Sequence, residues 1–192
     1  MNLPNKLTLI RILLMPFMVA ALLIPFPLHN LAALAFFTAA SLTDLFDGKI
    51  ARKRGLVTDF GKFADPLADK ILVLAAMLCF VQNGLCDCVA VILVLLREFS
   101  VTSVRLIAAS NGKVIAANIF GKIKTVTQMI AIIGIMALQV LVDLQSFGLR
   151  LPEGTDGVFF VINEVLIWIS TFFAVLSGVI YLVQNRDCIS DI

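Results

Sequence analysis

Charge is scarce in this chain, and histidine, tyrosine and tryptophan are almost missing. Asp, Glu, Lys and Arg together make up 15% of 192 residues, with one His, one Tyr and one Trp. Water-soluble domains carry roughly 25% charged and about 45–50% apolar residues, whereas this chain is 60% hydrophobic with a mean hydropathy of +1.03. So short a chain has too little interior to hide that excess, which excludes a water-soluble enzyme, a disordered chain and a collagen-like repeat. The lone histidine, His29, leaves no Ser-His or Cys-His pair for nucleophilic catalysis. The four cysteines, Cys79, Cys86, Cys88 and Cys188, form no CxxC pair. Cys86 and Cys88 flank Asp87, but no second pair or usable histidine completes a metal site, so incidental thiols are the better reading. Fifteen Lys and Arg against thirteen Asp and Glu give a net charge of +2, which does not point to nucleic acid. No repeat and no low-complexity linker divides the chain, and residues 1–192 are expected to form one domain.

What the chain has instead is apolar length. A helix needs roughly 20 mainly apolar residues to cross the hydrocarbon core of a bilayer. Six segments qualify: Asn5–Leu23, about Asn30–Ala51, about Phe63–Val81, about Val89–Ser110, Thr125–Val142 and Val165–Asn185. The fourth, with Arg97, Glu98 and Arg105, is the least ideal. A signal peptide is the competing reading of the first, but no small-residue cleavage site follows it, and Pro25-Phe26-Pro27 suits a turn. With the N-terminus inside, the outer connections hold a single basic residue, Arg150. The inner side collects Lys6, Arg11, Lys49, Arg52, Lys53, Arg54, Lys62, Lys113, Lys122, Lys124 and Arg186. This asymmetry predicts an all-α integral membrane protein of six transmembrane helices with both termini cytoplasmic.

The chemistry concentrates at the cytoplasmic ends of the second and third helices. Asp44, Asp47, Gly48 and Ala51 fall at i, i+3, i+4 and i+7 and share a helix face; Asp65 and Asp69 share one on the next helix. A short connection makes the two helices antiparallel, with their carboxylate faces able to meet. Four carboxylates at a membrane surface repel one another unless a cation sits between them, and acids inside spans default to a functional reading. All-oxygen ligands suit hard divalent ions rather than zinc, and four aspartates suffice for two such ions, an arrangement that serves phosphoryl transfer. Gly48, Ala51 and Gly61 are small enough for a bulky ligand to lie against the helix backbone, and Arg52 offers a fork for phosphate. Each part has a plainer reading: helix-end ion pairs for the acids, a dipole partner in Asp65, helix-packing positions for the small residues. Those readings leave the joint occurrence on two facing helices without an explanation.

The pattern Asp44-x2-Asp47-Gly48-x2-Ala51-Arg52-x8-Gly61-x3-Asp65-x3-Asp69 resembles the complete signature of the CDP-alcohol phosphatidyltransferases, with no departure at its eight positions. Further stretches are similar to bacterial members of that family that use glycerol 3-phosphate. They are residues 2–11, Ser41-Leu42-Thr43, Arg97-Glu98-Phe99 and Gly121-Lys122-Ile123-Lys124-Thr125; the likeness runs to about Met129. The resemblance implies Asp44, Asp47, Asp65 and Asp69 as ligands of Mg²⁺ or Mn²⁺, two ions, with Asp69 also the general base. It implies Gly48, Ala51, Arg52 and Gly61 around the CDP group of CDP-diacylglycerol, with CMP as leaving product. It further implies membrane lipids around the chain, a homodimer, and a place in the bacterial inner (cytoplasmic) membrane with the active site facing the cytoplasm.

The acceptor is a separate question. Glycerol 3-phosphate is a dianion and needs basic groups distinct from Arg52. Arg97 and Arg105, eight apart, differ by about 80° around one helix, and Lys122 and Lys124 enter the fifth span from the same side. Together they form a candidate acceptor pocket; alternatively they pair with an acid or snorkel to the interface. Inositol 1-phosphate is the nearest competing acceptor, with inositol and serine behind it. A divalent-cation transporter is the alternative from another class. Against it, the acids cluster at one membrane face and no inverted repeat is evident.

Overall fold

The computed structural model describes residues 3–54, 59–110 and 119–186, with side chains throughout these except at 3–6, 44–54, 59–66 and 69. The described residues form six α-helices and no strand: α1 (Leu3–Leu23), α2 (His29–Arg54), α3 (Asp59–Gln82), α4 (Cys88–Ser110), α5 (Ile119–Asp143) and α6 (Thr155–Gln184), with a single 3-10 turn at Leu144–Phe147. Each expected span coincides with one helix. Each helix reaches ahead of its apolar run, α5 and α6 by the most. α5 already includes Ile119, Lys122 and Lys124 ahead of its apolar run, the two lysines being good helix formers. α6 starts at Thr155, whose hydroxyl donates to the Pro152 carbonyl at 2.6 Å, and runs straight through Asn163 and Glu164. Ile119–Phe147 and Thr155–Gln184 are long and apolar enough to cross a membrane; Leu7–Leu23 and Lys70–Gln82 are shorter apolar stretches.

The chain divides into two compact units. One contains α1, α2, α3 and the stretch from Ile135 to Thr155. Here α1 packs on both α2 and α3. Its reversal into α2 uses Pro25, Pro27 and a left-handed Leu28 (φ 59°), with the His29 N–H donating to the Phe26 carbonyl at 3.1 Å. Asp143, the last residue of α5, receives the Asn30 backbone N–H and the Asn30 Nδ2, each at 2.9 Å. It thereby satisfies one of the donors that the start of α2 leaves open. Along α2 the buried positions Ala33, Phe37 and Ala40 follow the helical period, and the two alanines let helices approach closely.

The other unit contains α4, α5 through Gly134, and α6 from Asp156. Its helix α6 inverts the pattern of a soluble protein. Asn163, Ser170, Thr171 and Ser177 are buried, whereas Phe172 and Val183 are each 63% exposed. Polar groups inside and large apolar side chains outside is the distribution a lipid solvent selects, and the chain is a membrane protein by this character.

Candidate active site

The signature residues fall on two helices. Asp44, Asp47, Gly48, Ala51 and Arg52 lie within the unbroken α2, and Gly61, Asp65 and Asp69 within α3. Their helical spacing is therefore real along the backbone; their side chains lie outside those described. Two hydrogen bonds set the heights of α2 and α3 against α1. His29 Nδ1, at the start of α2, meets the Ala21 carbonyl at 3.0 Å. Asn83, just past the end of α3, donates from Nδ2 to the Leu22 carbonyl at 2.9 Å. α2 runs away from that level and α3 runs up to it, so the two are antiparallel. Asp44 lies about four turns beyond His29 and Asp69 about four turns before Asn83. The two backbones thus stand at the same height, and Asp47 and Asp65 each follow one turn further on. Four carboxylates, with neither thiol nor imidazole in the motif, match the oxygen preference of hard divalent ions. Among the described side chains, which do not include these four, no group of three or more His, Cys, Asp or Glu is assembled to hold a metal.

A second polar cluster lies in the unit of α4 and α6, at the residues expected to hold the acceptor. Glu98 is its centre, with its side chain only 9% exposed. Its Oε1 accepts from Arg97 Nη1 and from Lys124 Nζ, both at 2.6 Å. Arg97 Nη2 donates to Ser177 Oγ at 2.9 Å, while Arg97 Nε is buried with no partner among the described residues. Gly178 makes room for this arginine: a Cβ there would stand 2.7 Å from Arg97 Cγ. Arg97 and Lys124 against Glu98 leave the trio one positive charge in excess. Arg105, two turns along α4, is exposed. Its Nε donates to Tyr181 Oη at 3.3 Å, and its guanidinium carbon lies 5.5 Å from the Tyr181 ring centroid, within cation–π range. Lys122 is exposed. So Arg97 and Lys124 are brought together through a carboxylate, and Arg105 and Lys122 are not part of that contact.

Glu98, Ser177 and Tyr181 as polar partners, and Gly178 as the residue that leaves room for Arg97, are what reasoning from the sequence did not assign to the site. Glu98 carried a signal, an acid in the middle of a span. The others sit in a stretch indistinguishable in sequence from ordinary transmembrane helix. Lys113 and Cys188 lie outside the described residues. Cys79 and Cys86 are buried and Cys88 exposed, all three as free thiols.

The comparisons agree with the motif and extend it. The family model for CDP-alcohol phosphatidyltransferase matches residues 1–176, well past Met129, where the recognisable likeness stopped. The chain is 40% identical to a Bacillus subtilis protein named CDP-diacylglycerol–glycerol-3-phosphate 3-phosphatidyltransferase, over 98% of this chain and 97% of that one. It is 35% identical to a Rickettsia bellii protein of the same name, over 94% and 93%. A Mycobacterium tuberculosis protein named probable phosphatidylglycerophosphate synthase is 41% identical over 68% of this chain and 64% of its own length. With the family match covering most of the chain and the full signature carried on two antiparallel helices, this protein belongs to the CDP-alcohol phosphatidyltransferase family.

Proposed function

We propose that this protein transfers the phosphatidyl group of CDP-diacylglycerol to glycerol 3-phosphate, releasing CMP and forming phosphatidylglycerophosphate. The observation that carries this is the complete eight-residue signature at one end of α2 and α3, in a chain whose relatives bear the name of that reaction. Asp44, Asp47, Asp65 and Asp69 hold two Mg²⁺ or Mn²⁺ ions. When bound, these ions neutralise the pyrophosphate and stabilise the departing CMP. Gly48, Ala51 and Gly61 leave space for the cytidine nucleotide against the helix backbones, and Arg52 binds its phosphate. Asp69 takes the proton from the primary hydroxyl of glycerol 3-phosphate as that oxygen forms its bond to the lipid-bearing phosphorus. The bond from this phosphorus to the CMP oxygen breaks, with no covalent enzyme intermediate. The acceptor dianion is bound by the basic set Arg97, Arg105, Lys122 and Lys124. The excess positive charge of the Glu98 trio and the unpartnered Arg97 Nε support that assignment.

All six helices cross the bacterial inner membrane on this reading, both termini are cytoplasmic, and two copies associate as a homodimer. The inner-side bias of Lys and Arg supports the orientation. It puts the signature at the cytoplasmic face, where soluble glycerol 3-phosphate is available.

The test is CMP release by detergent-purified protein from CDP-diacylglycerol, with Mg²⁺ or Mn²⁺ and a chelator control. Glycerol 3-phosphate, inositol 1-phosphate, inositol and serine are offered separately. Chelator-sensitive release with glycerol 3-phosphate alone is expected. Release with a different alcohol would keep the family and overturn the acceptor assignment.

A further inference from the structure

Arg11 counts in the sequence only as one of the inner-side basic residues, yet the structure buries it completely. It is 1% exposed and heads the largest fully buried side chains of the described residues. Thr8, one turn nearer the start of α1, and Met18, two turns further on, are both 0% exposed. Arg11 therefore sits within the buried stripe of α1 and not on a face from which it snorkels. A guanidinium taken out of water is tolerated where a carboxylate answers it. α1 packs on α2 and α3, and those two helices carry Asp44, Asp47, Asp59, Asp65 and Asp69. Asp143, also in this unit, is engaged with Asn30 at the opposite end of α2.

The heights select among these acids. Arg11 lies about three turns before the Ala21–Leu22 level, and Asp44 and Asp69 lie about four turns from it. Its Cα is thus one turn from the plane of those two aspartates. Helical side chains lean toward their own N-terminus, which on α1 is the direction of that plane. A side chain as long as arginine covers about one turn, ~5.4 Å. Burial, stripe and height together bring the turn of α2 bearing Asp44 and the turn of α3 bearing Asp69 within the reach of an arginine at this position.

We propose that Arg11 is a positioning residue for the aspartate cluster, a fixed internal counter-charge that holds Asp44 and Asp69 together before divalent ions bind. The role rests on the reading of the four aspartates as metal ligands. Without ions, four carboxylates within two turns of one another repel. One buried guanidinium offsets part of that repulsion and keeps the ligand geometry assembled. When the ions arrive they supply the charge that Arg11 supplied alone, so Arg11 matters most to the metal-free protein.

The experiment is thermal unfolding of the full chain in detergent, in chelator and in saturating Mn²⁺, together with Mn²⁺ titration. The variants are Arg11→Met, Arg11→Lys, Asp44→Asn and Asp69→Asn, with each aspartate change also combined with Arg11→Met. Arg11→Met is expected to lower Tm in chelator by about 6 °C or more, the shift of a broken buried pair in a chain this size. Mn²⁺ restores at least half of that loss, and Arg11→Lys keeps most of the wild-type Tm. In the combined variants the losses fall well short of additive, because each removes the carboxylate left uncompensated. Equal loss with and without Mn²⁺, together with additive combined variants, would reduce Arg11 to packing and overturn the proposal. If Arg11→Met yields no folded protein, recovery by adding Asp44→Asn or Asp69→Asn supports the pairing, and failure of both to recover it overturns it. Non-additivity in chelator without any Mn²⁺ binding by the unaltered chain would overturn the metal reading of the aspartates while leaving the pairing intact.

Discussion

Glu98→Gln is the substitution whose consequence follows most directly from the geometry of the structure. Arg97 Nη1 and Lys124 Nζ each lie 2.6 Å from the same Glu98 oxygen, so the two cationic groups stand within about 5 Å of each other. The glutamate side chain is 9% exposed, which leaves little water to screen them. Glutamine keeps the shape and can still accept a hydrogen bond, but it removes the only negative charge of the trio. At an effective dielectric near 20, two like charges about 5 Å apart repel by about 3 kcal/mol. That agrees with the roughly 3–5 kcal/mol lost when one partner of a buried ion pair is removed. For a chain of this length each kcal/mol moves Tm by about 2–4 °C, so the expected fall is about 6–12 °C.

Two measurements check this. Thermal unfolding in detergent gives the stability loss, and adding Lys124→Met to Glu98→Gln should return about 2 kcal/mol of it by removing one of the repelling charges. Steady-state CMP release should show the KM for glycerol 3-phosphate raised about tenfold, as the two cations move apart, with the KM for donor lipid changed far less. A Tm within 1 °C of the parent, or strict additivity with Lys124→Met, would refute the electrostatic reasoning. Equal effects on both substrates would separate the trio from acceptor binding.

Four other outcomes are expected. Gly178→Ala drives a methyl to 2.7 Å from Arg97 Cγ and should cost about 1–3 kcal/mol as overpacking. Gly134→Ala meets only the flexible end of Leu166 at 3.1 Å and should cost less; thermal unfolding ranks the pair. Asp69→Asn should lower turnover by a factor of about 10²–10⁴, the usual worth of a general base, while metal-dependent CMP binding persists in equilibrium titration; unchanged turnover would remove Asp69 from the mechanism. In the connection between α3 and α4, burial, with the charge of Glu164 and then of Asp87 adding to it, pushes the Cys86 thiol up to about 12. The thiolate is the reactive form. A membrane-impermeant maleimide added outside intact cells at pH 8 should therefore label exposed Cys88 and leave Cys86 untouched, and labelling only from the cytoplasmic side would reverse the orientation. Asp143→Ala removes two 2.9 Å bonds to Asn30 and should cost about 1–2 kcal/mol, with KM for both substrates unchanged.

The sequence was legible where chemistry requires residues at fixed intervals. Four aspartates in helical register do not arise from lipid-facing composition, so Asp44, Asp47, Asp65 and Asp69 stand out in the sequence alone. The helices themselves were legible as apolar runs. Their starts were not, because charge was read as a boundary. Lys124 is 7% exposed inside α5, where its ion pair with Glu98 outweighs local hydropathy; Asn163, 1% exposed, lies within α6, which continues unbroken through it. The partners of Arg97 were illegible for a different reason. Ser177 and Gly178 act through one hydroxyl and one missing methyl, and neither has a periodic signature among the small residues common in membrane helices.

One physical constraint links both clusters. A low-dielectric interior does not tolerate a group of like charges awaiting a ligand, since each desolvated ion costs several kcal/mol and neighbours of the same sign add to it. On the proposed function both sites must nevertheless stay ready for multiply charged partners: cations for the aspartates, and the acceptor's phosphate for the basic set. The basic cluster meets this with one buried opposite charge, Glu98, which holds Arg97 and Lys124 and still leaves an excess positive charge for an anion. With the pairing proposed above, Arg11, buried on α1 one turn from the height of Asp44 and Asp69, gives the acidic cluster the mirror solution, one guanidinium among four carboxylates with a net negative charge left for divalent ions. In each case a single internal counter-ion lowers the cost of the empty site without neutralising it. Reversing either one, Glu98→Lys or Arg11→Glu, should therefore be far more damaging than neutralising it, and fail at the level of folded protein recovered.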